Sequence, residues 1–193
     1  MRKIRNALLS ALLLAATSLA ARAQAPGDPA PRIAAQREAI AVLDAMNGTW
    51  RGPAWILSPT GERHTMTQTE RVGSFLDGTV KVIEGRGYNA DGGVVFNAFA
   101  VISYDPTGRK YSMRSYARGQ AGDFDITPTP DGFTWEIPAG PAIIRYTAVI
   151  RDGTWHEIGE RIAPGQDAFR FIEFTLTRVG DTEWPGAGAV PHR

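Results

Sequence analysis

The sequence predicts an all-β fold, a closed antiparallel up-and-down β-barrel of about ten strands preceded by one short N-terminal helix. Turn signals at Asp77-Gly78 and Asp91-Gly92-Gly93 separate runs rich in valine, isoleucine and phenylalanine, which is the pattern of antiparallel hairpins. Similar turns recur at short, even intervals as far as Arg178, with no long crossover connection. This meander favours a barrel over a sandwich, because closure removes the exposed edge strands.

Residues 1–23 have the pattern of a secretory signal peptide. Arg2, Lys3 and Arg5 form a basic start, and the apolar run that follows is too short to span a bilayer comfortably. Small residues before Gln24 provide a cleavage site. We therefore predict a periplasmic or secreted protein with no membrane span after the signal is removed.

Charge and cysteine content exclude several classes of function. The chain has 21 basic and 20 acidic residues, and four of the basic ones lie within residues 1–23, which leaves 17 basic against 20 acidic. A mature domain with a net negative charge does not fit a nucleic-acid-binding protein, so no nucleic-acid partner is predicted. The absence of cysteine excludes disulfides, cysteine nucleophiles and thiolate zinc sites.

The remaining chain divides into a linker, one barrel domain and a tail. Residues 24–32 are proline-rich and predict a linker, and residues 33–180 form the barrel domain. The domain starts with a helix over Ile33–Met46 that ends at Asn47-Gly48. Residues 181–193 predict a flexible tail. The predicted strands are Thr49–Ser58, Glu62–Gly73, Thr79–Tyr88, Val94–Tyr104, Arg109–Arg118, Asp123–Thr127, Phe133–Ile137, Ala142–Arg151, Thr154–Ile162 and Ala168–Arg178.

Alternation along two strands indicates which side chains face the interior. In the second strand a row of threonines and arginines predicts the solvated face, so the opposite row should point inward. In the third strand the row from Val80 to Tyr88 is predicted to face inward. With single residues from later strands, the predicted ligand-binding residues are His64, Gln68, Glu70, Glu84, Arg86, Tyr88, Tyr111, Trp155, Glu157 and Arg161.

These residues predict binding of a small molecule. A barrel of roughly eight to ten strands leaves room for one small ligand, and a few polar groups in an apolar lining are typical of ligand pockets. The ligand is predicted to be apolar or amphiphilic, with no cofactor. No G-x-S-x-G, H-E-x-x-H or phosphate-loop motif is present, so binding is favoured over catalysis and no catalytic residue is assigned.

Three alternatives stay open. Interior carboxylates such as Glu70 and Glu84 could serve a hydrolase or isomerase. The outer threonine row, including Thr65 and Thr67, could bind a protein partner. A haem-binding barrel is the third alternative. No metal site is predicted, because three histidines without ligand spacing are a poor basis for one.

The opening of the first strand resembles that of known barrel families. Gly48-Thr49-Trp50 is similar to the Gly-x-Trp opening of calycin and lipocalin barrels, in which the tryptophan packs beside an arginine of the last strand, here Arg178. A longer resemblance, which includes Val82-Ile83-Glu84-Gly85 and the run from Ser103 to Tyr111, is to the DUF1579 group of bacterial barrels of unassigned function. It implies a lipocalin-like barrel without an established activity.

Nitrobindin-like haem barrels are similar in general shape. Their Gly-x-Trp-x-Gly-x-Gly-x-Tyr-Pro opening is broken here after Gly52 by Pro53-Ala54-Trp55. The resemblance would make His156 the haem ligand.

Overall fold

The computed structural model describes residues 28–188 and 190–191. The predicted signal peptide, residues 24–27 of the linker and parts of the tail lie outside the described residues. Within the described ranges, no helix combines the length and the apolar character needed to cross a bilayer.

The N-terminal helix α1 covers Ala30–Ala41 and is followed by a short 3₁₀ helix, Asp44–Met46. The single helix predicted over residues 33–46 is therefore wrong at both ends. The helix starts earlier because Pro31 lies in its first turn, where a missing backbone N–H costs nothing. It ends earlier because Leu43 leaves the helical region, with φ −96° and ψ 14°.

Ten antiparallel strands follow, and each pairs with the next along the chain. The last strand pairs with the first, so the sheet closes into a barrel and the predicted fold class is confirmed. The turn Leu76–Gly78 joins the second and third strands. The strands are β1 (Gly48–Leu57), β2 (Arg63–Phe75), β3 (Val80–Tyr88), β4 (Val94–Asp105), β5 (Lys110–Ala117), β6 (Gln120–Thr129), β7 (Gly132–Ala139), β8 (Ala142–Arg151), β9 (Thr154–Ile162) and β10 (Phe169–Gly180).

The helical segment closes one end of the barrel. Ile40, Leu43 and Met46 are almost completely buried and pack with the inward side chains of the strands, among them Ile102 and Leu176. Burial of such side chains contributes roughly 1.5–3 kcal/mol each. The apolar core therefore fills the half of the barrel nearest the helix.

Hydrogen bonds and an ion pair attach residues 44–47, which follow the helix, to the strands. The buried Lys81 ammonium of β3 donates to Asp44 Oδ1 at 2.6 Å and to Asn47 Oδ1 at 2.8 Å. The Trp50 indole N–H donates to the Met46 carbonyl at 2.8 Å. Because Lys81 has no solvent exposure, the Asp44 carboxylate supplies the charge that a buried ammonium requires.

The segment after β10 packs against the outside of the barrel. The Trp184 ring contacts Phe99 edge-on, with centroids 6.5 Å apart, and the Arg71 guanidinium lies 6.0 Å from the Trp184 ring. A Cβ on Gly73 would lie 1.8 Å from the Trp184 carbonyl oxygen, so only glycine fits there. Part of the predicted flexible tail therefore packs on the outer face of the sheet, against residues of β2 and β4.

Candidate functional site

A cavity of about 750 Å³ occupies the half of the barrel away from the helix. It extends from the apolar core to the barrel end formed by the C-terminal end of β1 and the N-terminal end of β2. Aromatic side chains make up much of its lining: Phe96, Phe124, Phe133, Trp135, Tyr146, Trp155, Phe171 and Phe174. The Trp135 and Tyr146 rings, on neighbouring strands, are stacked 4.1 Å apart.

Small residues on the inward rows create this space. Ala98 and Ser115 line the cavity, and Gly85 of β3 lies directly opposite Glu70 of β2. A Cβ on Gly85 would lie 2.8 Å from Glu70 Oε1 and 2.9 Å from Oε2. The glycine therefore lets the carboxylate lie flat against the β3 backbone.

A polar cluster lies within the apolar lining. Gln68 Nε2 donates to Glu70 Oε1 at 2.7 Å, and the Trp155 indole N–H donates to Glu157 Oε2 at 3.1 Å. Gln68 and Glu157 are only 5% and 7% exposed, and Glu70 is half-buried because it borders the cavity. Their strands, β2 and β9, are separated by β1 and β10, so the two carboxylates approach the cavity from different positions around the ring.

Burial raises the pKa of both carboxyl groups. The pKa of Glu70 rises from 4.5 to about 8, mainly by desolvation; the Gln68 hydrogen bond lowers it, and repulsion from Glu157 and Glu84 adds to the rise. Desolvation also raises the pKa of Glu157 to about 7, against the lowering effect of the Trp155 and Trp135 N–H groups. Near neutral pH the cavity can therefore hold or release protons.

Tyr146 belongs to the same electrostatic environment. Its pKa is raised to about 12 by desolvation and by Glu157, while Arg118 acts in the opposite direction. The Tyr146 hydroxyl thus keeps its proton at neutral pH.

The open end carries different chemistry. His64 lines the cavity there, but its side chain is 53% exposed and its Nε2 lies 3.8 Å from the Glu62 carboxylate. Arg118 lies in the turn between β5 and β6, with its guanidinium 5.8 Å from the Phe96 ring. The groups able to carry positive charge in the cavity lining therefore lie near its mouth.

The predicted inward face of β3 is wrong. Because Glu70 faces Gly85 across the β2–β3 pair, and directly opposed residues share a face, the interior receives Gly85. Glu84, Arg86 and Tyr88 lie on the outer face, where the Arg86 Nε donates to Glu84 Oε1 at 3.0 Å. These three predicted ligand-binding residues do not line the cavity.

Two further predicted residues lie away from the cavity. Tyr111 is at the helix end, where its hydroxyl donates to the Ala39 carbonyl at 3.0 Å. Arg161 is exposed near the end of β9 and does not line the cavity. The structure thus brings together five of the ten predicted residues as lining: His64, Gln68, Glu70, Trp155 and Glu157.

The residue named as a haem ligand is on the outer surface. His156 alternates with the inward Trp155 and Glu157, and its Nε2 lies 2.9 Å from the Glu173 carboxylate. It therefore does not reach the cavity. Within residues 28–188 and 190–191, no group of three or more histidine or carboxylate side chains could hold a metal ion.

Trp50 and Arg178 are neighbours, as the calycin resemblance implied, but the Arg178 guanidinium has other partners. The two residues are cross-strand partners in β1 and β10. The Arg178 guanidinium turns instead to the Asn47 carbonyl, at 3.4 Å, and to the Asp181 carboxylate. It therefore ties the start of β1 to the residue after β10.

Several lining residues were not predicted from the sequence. Trp135, Tyr146 and Arg118 line the cavity, and all three lie within predicted strands but are not among the predicted ligand-binding residues. In β7 the row that contains Phe133, Trp135 and Ile137 alternates with Thr134 and Glu136, and this alternation was the available signal.

No protein-family model matches this chain, and no curated protein matches it either. The resemblances to the DUF1579 group and to nitrobindin-like barrels therefore stay predictions. Among solved structures, the chain is similar to the crystal structure of Rv2717c from M. tuberculosis, with 13% sequence identity and a TM-score of 0.55. The match covers 72% of this chain and 96% of that chain. At this identity, the similarity supports the barrel fold and transfers no ligand or activity.

Proposed function

We propose that this protein is an exported barrel that binds one small, mostly apolar ligand with a polar end in its interior. The single observation that carries the proposal is the cavity of about 750 Å³. Its size is within the range of roughly 300–1,000 Å³ that is typical of ligand pockets. An aromatic lining with a few placed polar groups is equally typical of them.

The composition of the lining indicates how such a ligand would lie. The apolar body would contact rings such as Trp135, Phe124 and Phe174. The polar end would reach Gln68 and Glu70, which are hydrogen-bonded to each other. A purely structural barrel would fill this volume with side chains, because protein interiors are packed to the density of organic crystals.

Binding can be tested with a variant that fills the cavity. Ala98→Phe places a ring in the lining, and Asn97→Phe places the same ring on the exposed outer face of the same strand. Native mass spectrometry of the protein purified from its own periplasm should show a retained small molecule in the parent and in Asn97→Phe. Ala98→Phe should lose it. A parent that retains no ligand and binds no probe from an amphiphile panel would contradict the proposal.

The second candidate function is proton-transfer catalysis. It is favoured by two cavity carboxyls, Glu70 and Glu157, whose pKa values are raised to about 8 and about 7, because general acids and bases work best near the operating pH. Glu70→Gln and Glu157→Gln should each abolish turnover if a substrate panel reveals any. Turnover that survives both changes would refute this function.

The export part of the proposal rests on residues 1–23 alone. N-terminal sequencing of the protein from the periplasm or the medium should start at Gln24. A chain that retains residues 1–23 in the cytoplasm would contradict it.

A further inference from the structure

We infer that the ligand end lying deepest in the cavity is a cationic nitrogen, held by the carboxylates of Glu70 and Glu157. This inference rests on the proposed function and names its ligand class, an amine or ammonium group on an apolar body. Three features carry it. Neither carboxylate has a cationic partner among the residues that the structure describes, both line one cavity, and aromatic rings lie beside Glu157.

The first feature is the missing countercharge. Across residues 28–188 and 190–191, ten ion pairs of lysine or arginine with a carboxylate and two histidine–carboxylate contacts form, and neither Glu70 nor Glu157 takes part in any of them. Their hydrogen-bond donors are neutral: Gln68 for Glu70, and the Trp155 and Trp135 N–H groups for Glu157. Lys81, the buried cation of the same barrel, does have its carboxylate. Buried carboxylates without a cation are costly, so a ligand that supplies one would be bound preferentially.

The second feature is that both groups line the same cavity. Glu157 is 7% exposed, and the cavity reaches both it and Glu70. Gln68 holds one side of the Glu70 carboxylate, and Gly85 leaves room for it against β3. The oxygen atoms that are not engaged by these neighbours are the acceptors that a cationic nitrogen would use.

The third feature is the aromatic wall. Trp155 lies beside Glu157, and the stacked Trp135 and Tyr146 rings line the same part of the cavity. Indole and phenol faces attract cations, most strongly where water is excluded. Above about pH 8, where both carboxyl groups are ionised, the same lining would repel an anionic ligand end.

Binding of a cation should release protons. The native pKa values of about 8 and about 7 mean that the free cavity is partly protonated at neutral pH. A bound ammonium stabilises the ionised carboxylates and lowers their pKa values, so affinity should rise with pH and level off above about pH 8. The other charged or titratable groups around the pair are Tyr146 of β8, Arg118 of the β5–β6 turn, Glu84 on the far side of β3 and His64 at the mouth.

The test compares three probes of equal chain length, octylammonium, octanol and octanoate, by titration calorimetry. At pH about 8 octylammonium should bind at least tenfold more tightly than octanol, and octanoate should bind most weakly. Heats measured in buffers of different ionisation enthalpy should show that octylammonium releases about one proton or more near pH 7, whereas octanol releases none.

Variants locate the effect. Glu70→Gln and Glu157→Gln keep the side-chain shape, so each should still bind octanol while losing most of the preference for octylammonium and part of the proton release. Glu136→Gln is the matched control, because Glu136 is paired with Arg145 on the outer face of β7. It should behave as the parent. Near-ultraviolet circular dichroism reports whether each variant keeps its packed interior.

The outcomes separate this inference from the proposed function. If no probe binds, the proposed function fails together with the inference. If octanol or octanoate binds as tightly as octylammonium, the cavity is a ligand site but the inference is wrong. Proton release that is unchanged in both glutamine variants would also overturn it.

Discussion

Replacement of Glu70 by glutamine should make the barrel less sensitive to rising pH. The folded protein holds the Glu70 proton up to about pH 8, whereas the group ionises near its ordinary value of 4.5 in the unfolded chain. Between these two values the folded state binds more protons, so its free energy of unfolding decreases as pH rises. Glutamine is neutral throughout, and the variant should lack this part of the decrease.

The structure sets the size of the effect. A pKa rise from 4.5 to about 8, at about 1.4 kcal/mol per pKa unit, corresponds to at most about 5 kcal/mol above pH 8. Glu70 is only half-buried and borders a cavity that is open at one end, so solvent reduces the cost of its ionisation, and we expect somewhat less than half of this value, about 2 kcal/mol. The glutamine variant should therefore match the parent near pH 4 and exceed its stability by about 2 kcal/mol near pH 9.

Denaturant unfolding measured across this pH range, followed by tryptophan fluorescence, gives the comparison. Glu136→Gln, which removes an exposed carboxylate paired with Arg145, serves as the control and should follow the parent within about 1 kcal/mol. Parallel curves for the Glu70 variant and the parent would show that Glu70 is not desolvated. A variant that is less stable at pH 9 would refute the reasoning outright.

Gly52→Ala should lower the free energy of unfolding by about 1–3 kcal/mol, since its Cβ would overlap the backbone carbonyl oxygen of Thr175 in the neighbouring strand. Gly180→Ala, with no atom within 4 Å of the added Cβ, should be near neutral in the same denaturation assay. Asp44→Ala should lower the free energy of unfolding by about 3 kcal/mol, because it leaves the fully buried Lys81 ammonium without a countercharge. Lys81→Met should lower it by only about 1 kcal/mol, since the Asp44 carboxylate is exposed to water. The reverse order would contradict the assignment of Lys81 as the buried partner. His156→Ala should leave probe binding in the cavity unchanged, because this imidazole lies on the outer face. A Soret band formed on mixing with haem and lost in this variant would contradict that last expectation.

The inward face of β3 could have been predicted from the sequence through the register of the β2–β3 hairpin. A turn at Asp77-Gly78 places Glu70 opposite Gly85, and the structure has this pair. Opposed residues share a face, so Glu70 and Glu84 could not both point inward. The fold was predictable because it depends on turn spacing, which is local. To predict which side chains of β3 face inward, the register set by the turn must be combined with the inward face of β2.

Residue types alone were misleading for β3, because its inward face carries a buried lysine and its outward face a buried valine. Val82 is buried although it faces outward, because Trp184 and Pro185 pack on Gly73, its cross-strand partner in β2. Lys81 faces inward and is fully buried, since Asp44 lies above it. Both exceptions come from segments outside the sheet, which alternation within one strand does not reveal.

Closure of the ring links distant parts of the chain. The Thr49 hydroxyl donates to the Gly180 carbonyl, 131 residues further along. Until β10 has been synthesised, a nascent chain has two unpaired edges and lacks the wall that Phe171, Ile172 and Phe174 provide. Completion of the fold and completion of the pocket are therefore one event, so a chain truncated before Phe169 should be both prone to aggregation and unable to hold a guest molecule.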